Sequence, residues 1–488
     1  MFPWKSVIEI STPCALPIYV QIANSIVGEI KEGRVQSGSR LPGTRAMSDL
    51  LGVHRKTVVA AYEELDAQGW IEIHASKGAF VNTTLPEMHP VQLRKSFRPQ
   101  KGKIEETGFE VVDYKNIHAP VYAPPKMLGL HDGPDLRLVP TALVARTYKG
   151  VLTRKSTIPY LRYNPGDGNH NLRQTLSEYL NESRGLQTTP ENIFITRGSQ
   201  NGMFLTAMSL LREGDLVLTG DPGYFYAERT FTNFGATIER VPVDEFGLVT
   251  DAIEAICQKK KVRMIYVTPH HHYPTTVTLC APRRMALLSL AEKYGFAILE
   301  DDYDYDFHYQ SSPLLPLASA DRNGMVVYIG SFSKSISPVL RMGFIVAPKN
   351  LLHEVGKRRQ IVDTQGDWIL EQTFYELFKL GEIQRHMKKA LKVYRHRRDV
   401  FCELLESEMS DVLHFNKPEG GMAVWGVFDK KINAVELAVK VREQGLAIPN
   451  SSIYDKASSQ KWNATRLGFA MVNENEMERA IGILRKLV

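Results

Sequence analysis

Six short β-rich segments punctuate residues 192–347: NIFIT (192–196), DLVLT (215–219), VRMIYV (262–267), FAILE (296–300), VVYIGS (326–331) and GFIVA (343–347). Helical runs lie between them. This alternation constrains the chain more than any other feature, because strands separated by helices build an α/β domain around a mainly parallel sheet. The pattern begins near Lys126 and continues to the C-terminus. Ligands of such sheets bind beyond the carboxyl ends of the strands, so the residues that follow each segment are the first place to look for chemistry.

After NIFIT comes RGSQNGMFL, which places Gly198, Ser199 and Gln200 at a helix start. Free backbone N–H groups and a hydroxyl there suit an anion. After DLVLT comes GDPGYFY with Tyr224, and after FAILE comes DDYDYDF with Asp301 and Tyr303. After VVYIGS comes FSKSISPVLRMG, a lysine amid hydroxyls with an arginine seven residues on. Each signal alone is ordinary: a Gly-Ser start is usually a plain cap, a lysine after a strand is usually solvated, and an acidic cluster is usually a surface loop. Their convergence on one sheet edge is what informs.

The set suits pyridoxal 5'-phosphate (PLP), which needs a lysine for a Schiff base, an acid for the ring nitrogen, a phosphate cup and a donor to the ring oxygen. Lys334 supplies the amine, Asp301 the acid and Tyr303 the partner of the ring oxygen. Gly198, Ser199, Gln200, Ser331, Ser333 and Arg341 supply the phosphate site, and Tyr224 stacks on the ring.

The N-terminal segment reads differently. Ile18, Ile22, Ile26 and Ile30 form one helical stripe that stops near Gly33. A second helix fits Arg45–Leu51, and a third fits Arg55–Gln68 with Val58, Tyr62 and Leu65 on one face. Two short strands, WIEIH and AFVN, flank the turn ASKG. Helix, Gly-containing turn, helix and hairpin describe a winged helix-turn-helix. Arg55, Lys56 and Thr57 open the helix that enters the major groove in such folds, Arg45 is placed to meet phosphate, and Lys77 and Gly78 tip the wing. Residues 1–103 hold 13 Lys and Arg against 9 Asp and Glu, so most of the chain's net charge of +6 sits in its first fifth. A chain of 488 residues allows several domains at about 150 residues each. The predicted boundaries are residues 1–82 for a DNA-binding domain, 83–125 for a linker that includes the basic run VQLRKSFRPQKGK, and 126–488 for the α/β domain.

Two resemblances sharpen these readings. GSRLPGTRAMSDLLGVHRKTVVAAYEELDAQGWIEIHASKGAFV resembles the GntR-type winged helix over nearly the whole domain. YNPGDGNHNLRQTLSEYL, TRGSQNGMF, DPGYFY, TPHHHYPTT, LEDDYDYDF, SFSKSISPVLRMG and TRLGFA resemble, in order, a fold-type I PLP-dependent aminotransferase. Together they resemble the MocR subfamily of GntR regulators. The resemblance implies Lys334 as the lysine of the PLP aldimine, Arg466 as the residue that takes an α-carboxylate, and Tyr163 as a contact to the phosphate of a partner subunit. It implies that the α/β domain senses an amino compound or PLP, and that the protein is a head-to-tail homodimer on a double-stranded DNA operator. Where aminotransferases commonly read NPTG, this chain reads HHHYPTTV, so either His271 or His272 stands in for the asparagine near the ring. The alternative is a catalytically active aminotransferase with an accessory N-terminal domain.

The histidine run gives no expectation of a metal, since neighbours on a strand face opposite ways. Cys14, Cys257, Cys280 and Cys402 form no CxxC pair. No apolar run approaches the roughly 18 residues of a membrane span, and no leader pattern opens the chain. The expected location is cytoplasmic.

Overall fold

A computed structural model describes residues 2–11, 16–85, 107, 109–111, 127–309, 314–454 and 461–488. Cys14 and most of the expected linker, with its basic run, lie outside the described residues. The chain divides into two compact units, Met1–Lys115 and Asn116–Val488.

In the first unit three helices, Ile18–Lys31, Thr44–Leu51 and Arg55–Ala67, precede a hairpin of β1 (Ile71–His74) and β2 (Gly78–Val81). Ile22, Ile26 and Ile30 pack with Val58, Tyr62 and Leu65 in one core. Ile18, expected on the same stripe, is exposed. The Tyr62 hydroxyl donates to the Pro42 carbonyl (2.8 Å) and ties the third helix to the loop that leads into the second. Gly52 closes the second helix in the left-handed region, at φ 66°. A further short helix, Trp4–Val7, went unforeseen, and its Trp4 joins this core.

The first described strand of the second unit is β3 (Leu128–Gly129). Its main sheet uses β4 (Ile193–Thr196), β5 (Leu216–Asp221), β6 (Thr237–Asp244), β7 (Gly247–Leu248), β8 (Val262–Val267), β9 (Ala297–Asp302), β10 (Val326–Ser331) and β11 (Gly343–Val346). The order across the sheet is β4-β11-β10-β9-β8-β5-β6-β7. All six segments expected from the sequence are strands. The sheet is mainly parallel; β11 runs against both its neighbours, and β7 against β6. Residues 332–342 join β10 to β11 through one 3-10 turn, too short a path for the dozen or more residues that a parallel crossover needs.

Consecutive residues Val217 and Leu218, Met264 and Ile265, and Ile298 and Leu299 enter two different cores on opposite sheet faces. Burial on both faces explains why these strands read as unbroken apolar runs. A separate C-terminal sheet holds β12 (Leu413–His414), β13 (Ala423–Phe428) and β15 (Ala464–Gly468), while β14 (Leu446–Ala447) pairs with β3. The start of the unit is thereby sewn into its end. Among the described residues no helix is long and apolar enough to cross a membrane.

Candidate cofactor site and DNA-facing helix

A cavity of about 200 Å³ opens at the carboxyl ends of β5, β8, β9 and β10. Six residues expected from the sequence line it: Ser199, Tyr224, Tyr303, Ser331, Ser333 and Lys334. Four others do so without having been foreseen: Asp132, Tyr226, Tyr266 and Tyr273.

Asp301 is the penultimate residue of β9. Its Oδ2 accepts from the Tyr266 hydroxyl (2.8 Å), while its Oδ1 is buried and meets no donor among the described residues. Burial pushes its carboxyl up to about 7, with Asp302 and Asp304 adding to the rise and the Tyr266 bond opposing it. That oxygen can accept a hydrogen bond from a cationic N–H.

The next residue, Asp302, is held by a set of its own partners. Tyr328 donates to Asp302 Oδ2 (2.6 Å), Arg184 contacts the Tyr328 hydroxyl, and His270 Nδ1 lies 3.3 Å from Asp302 Oδ1. Burial alone would raise the Asp302 carboxyl, but His270, Arg184 and Tyr328 outweigh it and hold Asp302 at about 2.

On the lysine side, Ser331 and Ser333 hydroxyls stand 3.0 Å apart, and the Ser333 N–H donates to Ser331 Oγ (3.1 Å). Gly198 opens the neighbouring helix at φ 76°, and a Cβ there would meet the Arg341 guanidinium carbon at 3.0 Å. Arg341 donates to the Arg197 carbonyl (2.7 Å). Gln200 is turned the other way, its amide donating to Thr230 Oγ1 (2.7 Å).

Tyr303 donates to the His271 carbonyl (2.8 Å) and accepts from Arg466 Nη2 (3.2 Å). The two histidines offered for the asparagine position do not line the cavity. His271 Nδ1 is bonded to Asp304 Oδ1 (2.8 Å), and His272 Nε2 donates to the Pro222 carbonyl (2.9 Å). Burial keeps His272 neutral, down to about 4. Tyr273, one residue on, reaches the cavity instead, 4.9 Å from Tyr224 ring to ring. Tyr163 is 84% exposed and does not join the cavity within this chain.

In the first unit Arg45, Arg55 and Lys56 are exposed and Thr57 partly so. His54 caps the helix through the Lys56 N–H (3.2 Å), and Arg55 Nε donates to Thr44 Oγ1 (3.3 Å), which fixes Arg55 at the turn between the two helices. Lys77 is exposed in the hairpin turn. Arg40, absent from the sequence reading, lies against the same hairpin. Its guanidinium is 6.0 Å from the Phe80 ring, and its Nε would meet a Cβ on Gly78 at 3.3 Å.

A helix-turn-helix that displays cations on its second helix, joined in one chain to a fold-type I sheet, is the build of a transcription factor carrying an aminotransferase-like domain. The comparisons agree. Residues 18–81 match the gntR family of bacterial regulatory proteins, and residues 132–484 match aminotransferase class I and II. The chain is 27% identical over 476 residues to the probable rhizopine catabolism regulatory protein MocR of Rhizobium meliloti, covering 96% of this chain and 93% of that one. It is 29% identical over 453 residues to the transcriptional regulator TauR of Rhodobacter capsulatus, covering 91% and 90%. Among solved structures, an archaeal alanine:glyoxylate aminotransferase superposes with a TM-score of 0.70 at 30% identity, covering 74% of this chain and 90% of that one. LysN of Thermus thermophilus, an α-aminoadipate aminotransferase solved with N-(5'-phosphopyridoxyl)-L-leucine, gives 0.69 at 26%, covering 74% and 92%. The chain belongs to the class I and II aminotransferase family and, through its gntR-family N-terminal domain, to the MocR type of GntR transcriptional regulators.

Proposed function

We propose that the protein binds PLP at Lys334 and an amino compound beside it, and that this binding changes its affinity for a DNA operator. One observation carries the reading: Lys334, Tyr303, Tyr224, Ser199, Ser331 and Ser333 line one cavity together with Tyr266, whose hydroxyl donates to Asp301. That donor set fits PLP. Bound there, PLP supplies an aldehyde that condenses with primary amines and a ring that withdraws electrons.

The chain's own groups have distinct tasks. Lys334 is the point of attachment. Asp301 Oδ1 takes the ring N–H, and a cation there would draw the carboxyl back to its ionised form. Tyr303 and Tyr224 would hold the ring. Ser199, Ser331 and Ser333, with Gly198 and Arg341 at the helix start, receive the phosphate. For DNA, Arg55, Lys56 and Thr57 enter the major groove, while Arg45, Lys77 and Gly78 meet the backbone. A ligand transmits a signal only if it binds the DNA-competent state and the alternative state unequally.

Mapping tests the attachment. Borohydride treatment of protein loaded with PLP is expected to fix the pyridoxyl group on Lys334. Label spread over other lysines would contradict the reading.

Asp301→Asn separates two consequences of the buried carboxyl. A carboxyl raised in the folded state stabilises the fold relatively at low pH, and that contribution is lost as pH rises from about 4 through about 7. Glu300, which burial raises to about 8, acts in the same sense. His272 opposes both at lower pH, its contribution disappearing as pH falls from about 6.5 to about 4. Stripped of PLP, the Asn variant should therefore be more stable than the parent at pH 8, on the order of 2 kcal/mol, and should gain less at pH 5. Its PLP affinity should nonetheless fall by roughly tenfold or more with the loss of a charge-assisted bond. Thermal melts at the two pH values and a PLP titration check both.

A homodimer is supported by large apolar side chains left exposed: Ile158 (64%), Tyr163 (84%), Val339 (79%) and Ile361 (76%). The segments that carry them adjoin. Tyr160 stacks on Trp368 at 4.3 Å, the Asn164 N–H donates to Gln365 Oε1 (2.5 Å), and Val339 shares a cavity wall with Asp367. Exposed apolar area of this kind marks an interface. Ile361→Lys is expected to shift sedimentation toward the monomer, and an unchanged dimer would place the interface elsewhere.

A further inference from the structure

Asp132 stands between Lys334 and Arg466. Its Oδ1 is 3.0 Å from Lys334 Nζ, and its Oδ2 is 3.2 Å from Arg466 Nε. Lys334 also donates to the Asp132 carbonyl. Arg466 spends its other nitrogens inside the chain, Nη1 on the Pro274 carbonyl (3.1 Å) and Nη2 on the Tyr303 hydroxyl (3.2 Å). Its guanidinium lies 5.1 Å from the Tyr273 ring, and its side chain is only 2% exposed. The arginine that the aminotransferase resemblance assigns to a ligand carboxylate already holds a carboxylate of this chain.

The backbone keeps that carboxylate in place. The Leu130 N–H donates to the Ala447 carbonyl and the Leu130 carbonyl accepts from the Gly468 N–H, each at 2.9 Å. A Cβ on Gly468 would come within 2.0 Å of the His131 oxygen and 2.6 Å of the Asp132 nitrogen, so β15 touches the segment that carries Asp132. Arg466 is two residues away on the same strand. Downstream, the Asp135 N–H donates to the Tyr394 hydroxyl (2.9 Å), and its carboxylate pairs with Arg397 (2.8 Å). The segment is pinned on both sides of Asp132.

A ligand with a carboxylate next to its amino group meets two costs here. Either it displaces Asp132 from Arg466 and strands a charge, or it sits beside Asp132 as a like charge. A plain amine meets neither, and its ammonium is drawn toward Asp132 as it approaches Lys334. We infer that this cavity takes a primary amine with no carboxylate on the carbon that bears the amino group, Asp132 filling the place of that carboxylate. The inference rests on Lys334 being the PLP lysine.

The test uses full-length protein loaded with PLP and calorimetric titration with matched pairs: ethylamine and L-alanine, phenethylamine and L-phenylalanine, cadaverine and L-lysine. Within at least one pair the amine is expected to bind about tenfold or more tightly than its amino acid, the least that a disturbed charge pair costs. Asp132→Asn keeps the shape, removes the charge and is expected to reduce or invert that ratio. Amino acids that bind as tightly as their amines in the parent protein, or a ratio unmoved by Asp132→Asn, overturn the inference and leave PLP attachment at Lys334 standing. A chain that takes up no PLP overturns both. The parent comparison does not depend on the variant's folding.

Discussion

Lys334→Ala is expected to abolish stable retention of PLP, leaving a protein without visible colour that melts like the parent stripped of PLP. The covalent attachment is removed together with the ion pair to Asp132. The Asp301 oxygen, the serine hydroxyls and the Tyr224 ring remain, so PLP should still bind weakly and reversibly, with affinity reduced by at least about 100-fold (some 2.7 kcal/mol). The lysine lines the cavity. Its side chain is 24% exposed, and its bonds go to Asp132. A colour retained by Lys334→Ala would place the attachment on a different amine.

The second large effect concerns DNA. Arg55→Ala combined with Lys56→Ala should lower operator affinity by about 100-fold, the sum of one base-reading contact and one phosphate contact. Both side chains are exposed, so helix packing survives the change. Single variants should behave differently. Lys56→Ala weakens all sequences alike and reduces the slope of log affinity against log salt by roughly one. Arg55→Ala also relaxes preference at one base pair. Fluorescence anisotropy across a salt series distinguishes the two. Equal losses on every sequence for both variants would move the reading contact to another residue.

The sequence disclosed what burial and strand ends make visible. Strands buried on both faces carry unbroken apolar runs, so β4, β5, β8, β9, β10 and β11 were legible. β6 was not, because TIERVPVD at the margin of the sheet mixes Glu239, Arg240 and Pro242 into a half-exposed strand. Lys334, Tyr303, Tyr224, Ser199, Ser331 and Ser333 were legible because they lie at or within three residues of strand ends. Asp132 was not. It follows a two-residue strand that pairs with β14, more than 300 positions later, and no local pattern announces such a contact. The histidine run shows the other limit. Residue type proposed His271 or His272 for the cavity, but direction is set by the backbone, which sends them to Asp304 and Pro222 and gives the wall to Tyr273.

Chemistry at Lys334 is proposed to govern DNA binding by the N-terminal domain. The most direct test is anisotropy with a DNA fragment from upstream of the chain's own coding region, with and without PLP and an amine. Affinity in the parent protein is expected to change at least about tenfold on addition of PLP, of the amine, or of both. Lys334→Ala should bind the same fragment with no such response. A parent protein whose DNA affinity ignores PLP and amines, or a Lys334→Ala variant that responds as the parent does, would contradict the account.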